Sequence, residues 1–195
     1  MNSVSPMRKE VVTSFRLKSA DEDTKRIMRW QIVAGVCLQS GFRKGAEIGV
    51  SQGRLTMFLC AVMHDMHMMA VDRWEEQPDH PSEGWVGWNH EGSLKRLTET
   101  AEQYFPDRIT IVRADSVEAA KSVEDESLDF VFIDADHSYE GCSADIAAWA
   151  PKVRAGGMVS GHDYNMKWPG VIRAVDEAYP NRIISHDSVW IQFKT

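Results

Sequence analysis

The amino-acid sequence predicts an α/β protein of the Rossmann-like, doubly wound kind. Two observations lead there. Beyond Gly41, short apolar runs of strand length alternate with segments of helical spacing. One of those runs, Leu128–Ile133, is apolar except for Asp129, as expected of a parallel strand covered on both faces.

Residues 1–20 are polar and weakly patterned and read as an arm. Over 21–40, the residues Ile27, Met28, Ile32, Val33, Val36 and Leu38 recur near helical spacing, with Asp21 as the expected cap and Gly41 as the stop. Residues 1–40 are thus expected to be an N-terminal arm and helix ahead of one domain over 41–195. Within that domain, 46–50 reads as a short buried strand, 51–53 as a turn, and the following residues as a helix to about 63. Residues 68–71 read as a second strand. A loop rich in Trp, Pro, Gly and His spans 73–90. Its Trp74, Trp85 and Trp88, with His80 and His90, are either packing aromatics or a lid over an acceptor, since long loops in compact domains are often functional. A helix over 91–105 stops at Pro106. A third strand follows at 109–112, a short helix at 115–121, the fourth strand at 128–133, and a helix over 139–152 broken near Pro151. The fifth strand begins at 157–160, a helix covers 171–178, and 182–185 with 189–193 form a terminal pair around a turn at 186–188.

Composition narrows the class. A chain of 195 residues can bury a full core without staples. A net charge of −7 argues against nucleic acid as the main partner, because phosphate binding requires a basic patch. Cys37, Cys60 and Cys142 are widely spaced and form no C-x-x-C pair, so neither zinc nor a disulfide framework is signalled and a reduced, cytoplasmic protein is expected. No signal-peptide pattern opens the chain, and no run approaches the ~18 apolar residues of a membrane span.

In doubly wound sheets ligands bind beyond the carboxyl ends of the strands, so the residues after each strand are the ones that matter. After the first come Glu47, Gly49, Ser51 and Gly53, a glycine turn that lets backbone approach a ligand but is not G-x-G-x-x-G. After the second comes Asp72, followed by Arg73; an acid there can accept from ribose hydroxyls. After the third come Asp115 and Ser116, suited to an adenine edge or to helix capping. After the fourth come Asp134, Asp136 and His137, and after the fifth His162 and Asp163. Carboxylates and imidazoles meeting at one rim suit proton removal from a hydroxyl, a metal site, or both.

Taken in order, AEIGVSQG, AVDRW, RADS, FVFIDADHSYEG and RAGGMVSGHDY resemble class I S-adenosylmethionine-dependent methyltransferases. Within these they resemble a bacterial subgroup with an IDADHxYxGxxxD…GGxxxGHDY signature, related to the catechol and caffeoyl-CoA O-methyltransferases. The resemblance covers about residues 42–195. It implies a seven-stranded, mostly parallel sheet with an antiparallel last strand. It implies Glu47, Gly49 and Gly53, with Ser51, at the methionine end of the cofactor, Asp72 and Arg73 at the ribose, Asp115 and Ser116 at the adenine, and Asp134 near the methyl sulfur. His137, His162 and Asp134 become the catalytic candidates for methylating a hydroxyl of a small molecule, whether sugar, polyketide-like or catechol-like. Asp134, His162 and Asp163 become the metal candidates. Here the chain departs from the metal-dependent relatives, which carry Asp-Asn where His162-Asp163 stands. Imidazole suits softer transition metals than magnesium, so a different divalent metal or none is expected. An NAD-dependent oxidoreductase and a non-catalytic S-adenosylmethionine-binding module are the alternatives, and a homodimer is left open.

Overall fold

The computed structural model describes residues 27–75 and 89–195. The N-terminal arm, the cap expected at Asp21, and His80, Trp85 and Trp88 of the expected lid lie outside these residues. Helix α1 (Arg29–Ser40) begins later than the sequence pattern suggested, because Met28 is extended and its N–H is capped by the Gln31 side chain. It ends, as expected, at Gly41, whose φ of 73° suits the left-handed stop.

The other elements follow in the expected alternation: β1 (Lys44–Ile48), α2 (Arg54–Val62), β2 (His67–Asp72), α3 (His90–Tyr104), β3 (Ile109–Arg113), α4 (Ser116–Ala120), β4 (Leu128–Ile133) and α5 (Tyr139–Trp149). A 3-10 turn at Ala150–Lys152 absorbs Pro151, and β5 (Val153–Gly161), α6 (Pro169–Ala178), β6 (Ile183–Ile184) and β7 (Trp190–Phe193) complete the chain. The strands form one seven-stranded sheet in the order β3-β2-β1-β4-β5-β7-β6. β1 through β5 pair in parallel, and β7 runs antiparallel to both β5 and β6. The chain steps outward from β1 through β2 and β3, then returns to β4 on the other side of β1. That switch point opens a crevice at the strands' carboxyl ends.

Alternation along β4 assigns the two faces. Phe130 and Phe132 pack with Trp30, Val33 and Cys37 of α1 and Leu55 and Leu59 of α2. Val131 and Ile133 pack on the other face with Ile146 and Trp149 of α5 and Val171 and Val175 of α6. The polar Asp129 of β4 has a local reason: its carboxylate accepts from the Arg43 and Lys44 N–H groups at 2.6 and 2.8 Å and from Arg154 Nε at 2.8 Å. β5 starts four residues before the expected position. The stretch from Arg154 to Gly157 has no strand-like apolar pattern because it bulges, the partner register jumping from Leu128↔Val153 to Phe130↔Met158. Among the described residues no helix is long and apolar enough to cross a membrane.

Candidate active site

A cavity of about 390 Å³ lies beyond the carboxyl ends of β1 to β4. Of the sequence-predicted cofactor residues, Glu47, Gly49, Ser51, Asp72, Arg73, Asp115, Ser116 and Asp134 all line it. Gly53 is not among the lining residues. Its φ of 72° makes the turn into α2, and a Cβ there would meet Leu97 Cδ1 at 2.6 Å, so its role is in backbone geometry and packing. Gly49 has a stricter requirement. At φ 83° it passes so close to the end of β4 that a Cβ would lie 2.2 Å from the Asp134 carbonyl oxygen.

Asp72 organises the turn. Its Oδ2 accepts from the Val50 and Ser51 N–H groups, both at 2.8 Å, and its Oδ1 accepts from the Trp74 N–H at 2.7 Å. A carboxylate offers about four acceptor positions, so room for a hydroxyl remains chiefly on Oδ1. Trp74 is buried and donates from Nε1 to the Ser51 carbonyl at 2.9 Å, which makes it a packing residue and not part of a lid. His90, at the start of α3, reaches the cavity wall.

Glu47 points inward from β1 and accepts from Thr56 N at 2.9 Å and Thr56 Oγ1 at 2.6 Å. Burial pushes its carboxyl up to about 8, against the opposing hydrogen bonds of Thr56. At the other end of the cavity, Asp115 does what the capping alternative required. Its Oδ1 accepts from the Val117 and Glu118 N–H groups at 3.0 and 3.1 Å, and its Oδ2 pairs with Arg73. Ser116 donates its hydroxyl hydrogen to Asp145 Oδ1.

The fourth and fifth strand ends converge as the sequence predicted. His137 Nε2 lies 2.8 Å from Asp163 Oδ2 and 4.0 Å from Asp134 Oδ1. His162 Nδ1 lies 3.2 Å from Asp163 Oδ2 and 3.6 Å from Asp134 Oδ1. Asp134, His162 and Asp163 each present one donor atom within 4.8 Å of the others. Trp168 stacks on the His137 ring at a centroid distance of 4.2 Å and fixes its plane. Burial opposes charge on both imidazoles, but the carboxylates outweigh it: Asp134 and Asp163 raise His137 to about 9, and these two with Asp187 raise His162 to about 11. The same contacts overcome burial to hold Asp134 and Asp163 below the ordinary carboxylate range.

Three contributors were not singled out from the sequence. Arg29, from the first turn of α1, places Nε 3.5 Å from Asp134 Oδ2 and Nη1 3.1 Å from His162 Nε2. Asp187, in the turn between β6 and β7, accepts from the Arg29 N–H at 2.9 Å and lies 3.8 Å from His162 Nε2. Asp145, on α5, is a buried acid in the cavity wall. Arg29 and Asp187 are brought in from the two ends of the described chain, and no local spacing links them to the motifs. Asp145 closes the IDADHSYEGCSAD segment, and its polarity on an otherwise apolar helix face was the available signal.

Residues 46–164 match a family model described as a methyltransferase domain. A search of curated proteins returned no match. Among solved structures, the chain is similar to a candidate caffeoyl-CoA O-methyltransferase from Staphylococcus aureus, with 15% identity, a TM-score of 0.63, and coverage of 100% of this chain and 93% of that one. It is also similar to the O-methyltransferase NovP, with 18% identity, a TM-score of 0.64, and coverage of 85% and 78%. A candidate O-methyltransferase from Klebsiella pneumoniae aligns at 15% identity and a TM-score of 0.62, over 98% and 90% of the two chains. At these identities the likeness is one of fold.

Proposed function

The chain belongs to the methyltransferase-domain family, whose cofactor is S-adenosylmethionine, and from that premise we propose that it methylates a hydroxyl of a small molecule. The observation that carries this reading is the convergence of Asp134, His137, His162 and Asp163 at the strand ends beside Glu47 and Gly49. Residues 41–195 form the cofactor-binding domain in this reading, and the preceding segment supplies Arg29.

Gly49 and Ser51 would hold the cofactor's methionine portion. Glu47, an acid that burial keeps reluctant to ionise until a cation arrives, would receive the cofactor's ammonium group. Asp72 would accept from a ribose hydroxyl, and Ser116 would stand at the adenine end. The sulfonium is reactive by itself, so the protein's task is to align the acceptor oxygen behind the methyl carbon and to receive its proton. Asp134 is the carboxylate at the reacting end, and His137 Nε2 and His162 Nδ1 are the imidazole atoms facing it. Sugar, polyketide-like and catechol-like hydroxyls all suit this chemistry.

The donor set fits a divalent cation. Asp134 and Asp163 would supply oxygen and His162 its Nδ1, while Asp187 faces the other ring nitrogen as the outer carboxylate that commonly orients such a histidine. One nitrogen donor favours manganese, iron or zinc over magnesium. A bound cation would lower the pKa of the acceptor hydroxyl. A metal-free reading is favoured by Arg29, whose guanidinium already stands between Asp134 and His162. The test is S-adenosylhomocysteine release by the purified chain over a panel of hydroxyl acceptors, with chelator and with added manganese, zinc or magnesium. Loss with chelator and recovery with manganese or zinc supports the metal-assisted form. Activity indifferent to chelator supports the Arg29 form. No release with any acceptor under any condition would overturn the reading.

A further inference from the structure

Resting on the cofactor reading above, we infer that Asp145 is the residue that recognises the exocyclic amine of the adenine, and so sets the base specificity of the site. The sequence pointed to Asp115 for that task, but in the folded chain three of its about four acceptor positions are taken. One of its oxygens caps α4 through the Val117 and Glu118 N–H groups, and the other is paired with Arg73. A carboxylate held this way positions the helix and keeps one acceptor position, beside the Arg73 guanidinium.

Asp145 is in the opposite situation. It is 2% exposed and sits in the wall of the cavity, beside Ser116, Gly141 and Ala144. Its Oδ1 accepts from the Ser116 hydroxyl. A buried carboxyl with a hydroxyl partner is underprovided, because desolvation of an acid is offset only by several donors. Its surroundings add to the demand. Burial first, and then the nearby charges of Asp136 and Asp115, push Asp145 up to about 6. An adenine amine is the matching partner: it is a neutral donor of two hydrogens, it needs no counter-charge, and it satisfies an acceptor that the protein leaves short. Ser116 then acts as a positioning residue, holding Oδ1 so that the carboxyl keeps its orientation.

The test is a cycle between protein and ligand. Calorimetry on the purified full chain measures S-adenosylhomocysteine and its analogue bearing hydrogen in place of the 6-amino group, each against the unaltered chain and Asp145→Asn. The unaltered chain should prefer the amine-bearing ligand by at least about tenfold, the scale of a hydrogen bond to a charged group. Asp145→Asn should weaken S-adenosylhomocysteine by about that factor and leave the 6-hydrogen analogue nearly unchanged. Ser116→Ala should give a smaller loss of the same selective kind, and it keeps the cycle intact if Asp145→Asn does not fold. Equal weakening of both ligands by the variants would reduce Asp145 to a structural acid and overturn the inference, with the cofactor reading untouched. Failure of the unaltered chain to bind either ligand would overturn both.

Discussion

Replacing Glu47 by Gln is expected to stabilise the ligand-free protein, increasingly so as pH rises. Glutamine keeps an oxygen to accept from Thr56 N and Oγ1, now at 2.9 and 2.6 Å, and removes only the titration. The carboxyl stands near 4.5 when unfolded and is raised to about 8 in the fold by burial. A raised folded pKa means that the group's contribution is fully present below pH 4.5, declines as pH climbs, and is lost by about pH 8. Each unit of that window is worth ~1.4 kcal/mol, so between pH 5 and 7.5 the variant should gain ~3 kcal/mol on the unaltered chain. Urea unfolding at the two pH values, with linear extrapolation, measures the difference directly. Two stability profiles that run parallel would show that Glu47 is already ionised in the fold, and the idea of an acid waiting for the cofactor's ammonium would fail with it. The same substitution should weaken S-adenosylhomocysteine binding, because glutamine cannot answer a cation.

Other substitutions test separate parts of the site. Gly49→Ala forces a side chain into a φ of 83° and to within 2.2 Å of a carbonyl oxygen; a loss of at least ~2 kcal/mol is expected, read as a fall in the thermal midpoint. Asp72→Ala removes both a ribose acceptor and the clamp on the Val50 and Ser51 N–H groups, and calorimetry should record S-adenosylhomocysteine affinity lowered about tenfold or more; an unchanged affinity would leave Asp72 with the turn alone. His137→Gln should lower turnover about 100-fold, the scale of lost acid–base catalysis, and chiefly toward pH 9, where the raised imidazole sheds its proton and can receive another; His162→Gln removes a ring that stays cationic up to about pH 11 and should lower turnover through the lost charge, with cofactor affinity retained in both. Arg29→Met should lower turnover about tenfold, and added manganese should restore part of it; indifference to both would remove Arg29 from the reacting end.

Much of the fold was legible because apolar periodicity is a local signal. The strand at Leu128–Ile133 and the stop at Gly41 coincide with the expected bounds. The β7 turnback was foreshadowed by the terminal pair, and the motif residues fall at strand ends because a parallel sheet places them there. What escaped depended on tertiary contact. Arg29 and His162 are 133 residues apart along the chain, and nothing local marks an arginine at a helix start as a partner for a distant imidazole. For Trp74 the sequence left packing and lid equally open because its loop is aromatic, and the hydrogen bond to Ser51 O that turns it into the core decides for packing. Asp115 illustrates a subtler gap: an Asp before a short helix can serve as cap, as ligand or as both, and only the fold reveals that Arg73 and two N–H groups are its partners.

The most direct measurement is the mass and chemistry of the product formed with isotopically methyl-labelled S-adenosylmethionine and a hydroxyl acceptor, by the unaltered chain and by Asp134→Asn. The expected result is a labelled methyl ether from the unaltered chain and a loss of at least about 100-fold in the variant, with S-adenosylhomocysteine still bound. Label on nitrogen or carbon, or full turnover without the Asp134 carboxylate, would contradict hydroxyl methylation at the Asp134, His137, His162 and Asp163 cluster.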